Sequence, residues 1–336
     1  MGNARRAGVK IYYRSRDISR SVNSFTYNDN YDKTDDISVT FEDRAERWIG
    51  EWFPAPGEKF NVWIELFDWR FFNDNRSIEL GDFEIDNPEF SDVVTINAVT
   101  IPITSDARSE KKNRAWRQIT LSGIAGDIAA NTRLRLVYDT DIDPFYDSAD
   151  QNDKSDLCFL EDLCKSDGLC MKTTNGRLIV FEERKYEAMP AVTTIRKGSS
   201  RIIETPTFRR NSKDVYKACE VAYFDPKTDE TYRGYFSAPN VSGIGHTLRL
   251  RERYNSVYDD MNLNRKAAAR LREKNRNEFQ CSMSLKGDII YFSGINVEVV
   301  GWQRLDGKYH IAGCRHTIDD SGYSVALEMR RCLEGY

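Results

Sequence analysis

The sequence predicts a mainly β chain, α+β overall, in which two antiparallel β-barrel domains flank a small α+β module and a helical insertion precedes the last strands. Three observations carry this prediction. Apolar and polar residues alternate through roughly the first hundred positions, the period becomes helical near Ile119, and strand patterns return after about residue 195. The expected domains are a first barrel over 1–105, a middle module over 106–190, and a second barrel over 191–336 that holds a helix at 263–277.

In the first region the expected strands are Val9–Tyr13, Val22–Tyr27, Ile37–Phe41, Phe60–Leu66, Gly81–Ile85 and Val93–Ile101. Val62, Ile64 and Leu66 share one face, with Phe60 in phase, as a half-buried strand requires. Pro54, Pro56 and Gly57 punctuate the chain just before it. Short strands joined by small turns fit a closed barrel, which leaves no open edge.

In the middle region Ile119, Leu121, Ile124, Ala125, Ile128 and Ala129 fall at helical spacing, and Asn131 and Thr132 end the helix. Leu134, Leu136 and Tyr138 then alternate as a strand. A second short helix follows, capped by Ser155, with Leu157, Leu160, Leu163 and Cys164 apolar and Gly168 just beyond its end. Asn175–Gly176 lies between two strand-forming runs and is the strongest hairpin signal in the chain, because both residues tolerate positive φ in a type I′ turn.

The last region carries expected strands at Thr205–Arg210, Val215–Phe224 and Thr231–Phe236, with Asp225 and Pro226 opening the turn between the latter two. A helix capped by Asn262 or Asn264 precedes the strands Phe279–Leu285, Glu298–Trp302, Tyr309–His316 and Ser324–Arg330. Two barrels of similar size hint at duplication, but no repeat is visible residue by residue.

The chain has 336 residues, room for two or three domains. With 40% hydrophobic and 30% charged residues it is neither disordered nor collagenous nor an extended coiled coil. A mean hydropathy of -0.62 and apolar stretches of only a few residues exclude a bilayer-spanning helix. The basic N-terminal stretch has no apolar core of signal-peptide length. A net charge of -4 lacks the positive surplus of a non-specific nucleic-acid binder. Seven cysteines need no disulfide framework in a chain this long and fit a reducing compartment of synthesis. Only three histidines occur (His246, His310 and His316), too few to expect a histidine-built catalytic site.

Four constellations bear on chemistry. Cys158, Cys164 and Cys170 are candidate ligands for zinc or an iron–sulfur cluster, with a fourth from Cys219, Cys281, Cys314 or Cys332. Their C-x5-C-x5-C spacing lacks a CxxC pair and puts Cys158 and Cys164 off a common helix face, so buried thiols are expected, with no metal and no cofactor. Asp139, Asp141 and Asp143 imitate the start of a calcium loop, and Asp147, Asp150, Asp153 and Asp156 continue the acidic run. Pro144 stands where that loop needs its glycine and Asp150 replaces its bidentate glutamate, so the expectation is a solvated or channel-facing acidic loop. Arg265, Lys266, Arg270, Arg272, Lys274 and Arg276 form the best nucleic-acid feature, yet no aromatics interleave. Acidic neighbours or a partner subunit are the expected contacts of that helix. His310, Cys314 and His316 share strand parity near Asp319 and Asp320, which allows a metal or a Cys–His nucleophile but supplies no orienting group, so a structural role is expected. Gly243 and Gly245 form no dinucleotide fingerprint.

Several blocks, taken in order, resemble the phage late control D family, the central baseplate hub proteins of contractile-tailed phages and related injection devices. They are DDISVTFEDRAERWIGEWFPAPGEKF (35–60), FEIDNPEFSDVVTINAVTIP (83–102), KKNRAWRQITLSGIAGDIAANTRLRL (111–136), SDLCFLEDLCKSDGLCMKTTNGRLIVF (155–181), KAAARLREKN (266–275) and GKYHIAGCRHTIDDSGYSVALEM (307–329). The resemblance implies a non-enzymatic homotrimeric ring whose subunits each give two similar barrels. Such a ring adapts the six-fold tail tube to the three-fold spike and encloses a channel for the tape-measure protein and DNA. Implied partners are the tube or tube-adaptor protein, the spike and the baseplate wedge proteins, with no sequence-specific nucleic acid. The implied location is the virion tail baseplate or a phage-tail-like particle, after synthesis in the bacterial host cytoplasm. The resemblance supplies no catalytic residues. Because the chain stops at Tyr336, directly after its last strand, any lytic or piercing function is expected of a partner. The alternative is a tail-associated protein that degrades cell wall or binds carbohydrate.

Overall fold

Alternating apolar residues bring most of the chain into sheets. The computed structural model describes residues 5–100, 110–213, 215–225, 229–239, 246–252 and 260–336. The first strands are β1 (Arg6–Tyr13), β2 (Arg16–Asp17), β3 (Val22–Asn30), β4 (Asp36–Phe41), β5 (Lys59–Phe67), β6 (Arg76–Phe90) and β7 (Val94–Val99). The middle region holds β8 (Lys112–Thr120), α1 (Leu121–Thr132), β9 (Arg135–Asp139), β10 (Phe145–Lys154), α2 (Asp156–Ser166), β11 (Cys170–Thr174), β12 (Arg177–Phe181) and α3 (Glu183–Ala188). The remainder is β13 (Thr193–Arg196), β14 (Thr207–Arg210), β15 (Tyr216–Asp225), β16 (Glu230–Ser237), β17 (His246–Glu252), α4 (Asp260–Asn275), β18 (Phe279–Lys286), β19 (Asn296–Val300), β20 (Gly307–Asp319) and β21 (Gly322–Arg331).

The two-barrel expectation is corrected by the strand pairing. β3 pairs antiparallel with β20, from Phe25 opposite Ile318 to Asn30 opposite Gly313. Strands from both ends of the chain thereby join one open sheet of 13 strands, ordered β14-β18-β21-β20-β3-β4-β7-β6-β5-β1-β2, with β19 and then β13 attached at β20. The other sheets are β8–β10, β11–β12–β9 and β16–β15–β17, and none closes into a barrel. The physical reason is that alternation assigns a residue to a face but says nothing about which strand lies beside it or whether two edges meet.

One continuous core lies on the large sheet. Ile11, Phe25, Ile37, Val39, Phe60, Val62 and Ile64 from the first strands join Leu285, Val299, Ile311 and Val325 from the last, all fully buried. Trp48 fits over it, 5.3 Å from the Tyr13 ring and 4.8 Å from Phe41. The middle region has its own apolar cluster, with Leu121, Ile124 and Ile128 of α1 against Leu160 and Cys164 of α2 and Leu178 and Val180 of β12.

Local signals set the helix ends. Thr120 Oγ1 accepts from Gly123 N at 3.2 Å to cap α1, and Ser155 Oγ accepts from Cys158 N at 3.4 Å to cap α2. The hairpin forms as expected, with φ of 44° at Asn175 and 67° at Gly176. Its tip seats on the large sheet at Gly81, whose φ of +99° and lack of a side chain make room for the Asn175 amide.

Three further expectations change. Ile119 belongs to β8, opposite Tyr146, and the helix starts two residues later. The acidic run is not a loop over Phe145–Lys154 but strand β10, paired antiparallel with β8. Basic residues in and beside β8 meet the acids there: Lys111, just before β8, meets Asp153 at 3.0 Å, Arg117 meets Asp150 at 3.3 Å, and Arg114 meets the buried Asp156 at the start of α2 at 2.8 Å. Asn264 lies inside α4, where its Oδ1 accepts from Tyr235 N at 2.7 Å rather than capping the helix. Ile101, Pro226, the Asn262 side chain, Gly243, Gly245 and the expected boundary at residue 105 lie outside the described residues.

Candidate functional site

The residues singled out for chemistry take up structural places. Cys164 is fully buried between the helices, and burial pushes its thiol well up, away from the thiolate a metal needs. Cys158 is exposed in the first turn of α2 and Cys170 opens β11. Among the described residues no three His, Cys, Asp or Glu side chains gather as a metal site. Asp139 and Asp143 point to different partners: the Tyr186 hydroxyl donates to Asp139 at 2.5 Å, while Ser122 N donates to Asp143 at 2.9 Å.

Cys314 and His316 do come together, with Sγ and Nε2 3.2 Å apart and His316 Nδ1 2.7 Å from the Tyr323 hydroxyl. All three lie in the core of the sheet. Burial lowers the imidazole to about 4 and raises the thiol well above its ordinary value, so both stay neutral. A nucleophile needs the reverse shift and access to a substrate.

The basic helix finds acidic neighbours, as expected, at a junction of several elements. Arg330 of β21 reaches Glu183 of α3 at 2.6 Å and also binds Glu187. Arg272 of α4 reaches Glu187 at 2.6 Å and Glu183 at 3.3 Å. Arg276 reaches Glu183 at 2.9 Å and Asp32, between β3 and β4, at 3.5 Å. Glu183, Glu187, Arg272 and Arg330 are all buried. Burial works to raise the Glu183 carboxyl, but Arg330, Arg276 and Arg272 outweigh it and hold it at about 2.

His310 lies beside this junction. Asn296 Nδ2 donates to the carbonyls of Tyr186 and Met189, both at 2.8 Å, so its Oδ1 is left to accept from His310 Nδ1 at 2.8 Å. Burial, then the charge of Arg330, lowers the imidazole to about 3 and keeps it neutral.

A second buried latch holds β11. Lys172 Nζ lies between Asp29, which it contacts directly, and Asp35 at 3.1 Å, and it donates to Ser293 Oγ at 3.1 Å. Burial and the neighbouring Asp29 raise the Asp35 carboxyl to about 7 against the pull of Lys172. Between the latches a cavity of about 420 Å³ is lined by Ile179, Phe181, Tyr186, Met189, Val192 and Ile295.

This arrangement transmits position. It fixes β11 and α3 against the large sheet through directional charged contacts. Sequence reasoning assigned no role to Asp29, Asp35, Lys172, Glu183, Glu187 or Arg330. The signal available was weak: an acid at a buried parity position within a strand, as at Asp29; Arg330 lies out of phase with the inward residues of its strand.

No family model matches the chain, and no curated protein matches it. Solved structures do match. The chain is similar to the tail protein from Neisseria meningitidis MC58 at 13% identity, over 97% of this chain and 97% of that one, with a TM-score of 0.71. It is similar to the prophage MuSo2 43 kDa tail protein from Shewanella oneidensis at 12% identity, over 96% and 98%, with a TM-score of 0.70. It is also similar to the E. coli c3393 protein, at 12% identity over 97% and 78%, with a TM-score of 0.57. That protein is a component of the type VI secretion system with structural similarity to the T4 bacteriophage tail proteins gp27 and gp5. At these identities the shared property is the fold.

Proposed function

We propose that this chain is a non-enzymatic structural hub of a phage tail or related injection device. It forms a homotrimeric ring that adapts a six-fold tail tube to a three-fold spike and encloses the channel for tape measure and DNA. The observation that carries this reading is the fold shared with the Neisseria meningitidis tail protein over 97% of both chains. The buried latches support it, because an adaptor must hold its parts at fixed angles and needs no reactive centre. Cys158, Cys164 and Cys170 are given no metal or catalytic role in this reading, and residues 106–190 act as one module carried on the sheet. Partners are the tube or its adaptor, the spike and the wedge proteins, at the tail baseplate.

The test is the mass of the purified chain in solution together with its location in the native particle. A defined trimer on the particle axis is expected. A peripheral monomer, or a purified chain that degrades cell-wall polymer at enzymatic rates, overturns the reading.

A further inference from the structure

A closed three-fold ring is built from heterologous contacts, so one chain must carry two different, complementary faces. Two exposed faces of this chain have opposite charge, and both carry aromatic side chains.

The first belongs to the sheet β16–β15–β17. Cys219, Val221 and Tyr223 of β15 point inward with Leu248 and Leu250 of β17, against Leu263, Ala267 and Leu271 of α4. That parity fixes the other face outward. Arg233, Arg249 and Arg251 are exposed on it, with Tyr235 57% and Phe224 51% exposed. The register sets Arg233 and Arg251 on either side of Ala222, and Tyr235 and Arg249 on either side of Glu220. Glu220, bridged by Arg233 at 3.2 Å and Arg249 at 3.5 Å, is the one acid among the described residues of that face, so positive charge is in excess.

The second face is the tip of the β6–β7 hairpin. From Asp82 to Val94 the chain carries Asp82, Glu84, Asp86, Glu89 and Asp92 and no lysine or arginine. Glu89 and Asp92 are exposed beside Phe90. Phe90 stacks on Phe53 with centroids 5.4 Å apart and planes within 13°, although Phe53 is 56% and Phe90 37% exposed. An aromatic pair stacked at the surface beside exposed acids has the composition of an interface anchor.

We infer that the β6–β7 tip of one copy docks on the outward face of β15–β17 in the next copy, and that this contact repeats around the ring. The inference rests on the hub reading and names its surfaces. Glu89 and Asp92 pair with the arginines, and the Phe53–Phe90 stack meets the guanidinium planes and Tyr235.

The experiment uses the full chain and light scattering, with a melting curve to verify folding of each variant. Reversal of the basic face (Arg233→Glu, Arg249→Glu, Arg251→Glu) is expected to weaken association about a hundredfold or more, as is reversal of the tip (Glu89→Arg, Asp92→Arg), since like charges then face each other. A chain carrying both reversals is self-complementary again and is expected to regain the trimer. Reversed single-face variants that stay trimeric overturn the assignment of faces while leaving the hub reading intact. A wild-type chain that is monomeric in solution and peripheral in the particle overturns both. Binding of a thymidine decamer that is lost on reversing the arginines, with trimer mass unchanged, assigns the face to single-stranded nucleic acid and overturns the proposal.

Discussion

Around Phe60 the large sheet is held by carbon. Phe60, Val62 and Ile64 are fully buried among Phe41, Trp48 and Val39, and no charge interrupts that contact. Around Glu183 the middle region meets the same sheet through charge: two glutamates of α3 with Arg272 of α4, Arg276 just after it and Arg330 of β21, and neutral His310 beside them. Apolar burial is non-directional and supplies most of the stability. Charged hydrogen bonds fix distance and angle, yet gain little over an apolar replacement because desolvation offsets them. The two regions divide the work: the core keeps each part folded, and the junction sets how the parts sit on each other.

The largest expected effect breaks the junction from one side. Arg330→Met leaves Glu183 and Glu187 buried with less compensation and is expected to cost about 3–5 kcal/mol in urea unfolding. Phe60→Ala in the core is expected to cost about the same, through lost burial and a cavity. The two differ in rescue. Replacing Glu183, Glu187, Arg272 and Arg330 together by apolar residues of similar volume should recover most of the loss, whereas no partner change refills the Phe60 cavity. A junction that stays unstable after the joint replacement would show that its charges add net stability.

Acidity acts on the polar sites and spares the carbon. His310 is lowered from 6.5 to about 3 by burial and then by Arg330, against Glu183, with Arg272 and Arg276 adding. His316, facing Asp29, Cys314 and Tyr323, is lowered from 6.5 to about 4 by burial. Below pH 6.5 the unfolded chain takes up both protons and the folded chain does not, so stability falls. Asp35, raised from 3.8 to about 7 by burial, works the other way, because it holds a proton only when folded. Two histidines against one aspartate leave the unfolded chain the net gainer of protons between about pH 4.5 and 6.5, so stability falls with falling pH, by about 1 kcal/mol per pH unit. Below 4.5 Glu183, held at about 2, steepens the loss. A melting temperature flat between pH 6.5 and 4.5 contradicts this account.

A smaller effect tests the hairpin that seats on the sheet. At Gly176, φ is +67° and a Cβ meets nothing within 4 Å, so Gly176→Val tests backbone strain alone. About 1–3 kcal/mol is expected, with hydrogen exchange quickening over β11 and β12 but not over β3–β4. Equal protection in mutant and wild type would mean that the turn does not need positive φ.

Much of this was legible from local pattern. The Asn175–Gly176 turn, the Ser155 cap and the alternation of β3, β5 and β21 each depend on a few neighbouring residues and occur where expected. The pairing of β3 with β20 was not legible, since nothing in Phe25 or Ile318 names its partner. The junction was half legible: the basic helix announced its need for acids, but Glu183 and Glu187 sit in the six-residue helix α3, too short to show a period. β17 carried a usable signal, Leu248 and Leu250 alternating with Arg249 and Arg251, which a strict count of period two would have found.

The smallest effect concerns ion pairs that resemble the junction in chemistry and differ from it in exposure. Arg117 and Asp150 meet diagonally across β8 and β10 at 3.3 Å, with side chains 64% and 45% exposed. Water and salt screen such a pair, and ordering two long side chains offsets its attraction. A double-mutant cycle of Arg117→Ala and Asp150→Ala is expected to give a coupling of about 0.2–1 kcal/mol, shrinking further in high salt. The same cycle on Arg114 and Asp156, where the carboxylate is fully buried and also accepts from Lys112 at 3.2 Å and Gln151 at 3.0 Å, should give a larger coupling that salt hardly changes. If the two cycles agree, burial is not what distinguishes them. The ladder of unlike charges along β8 and β10 then contributes as a whole, and the contrast drawn between the junction and the surface loses its physical basis.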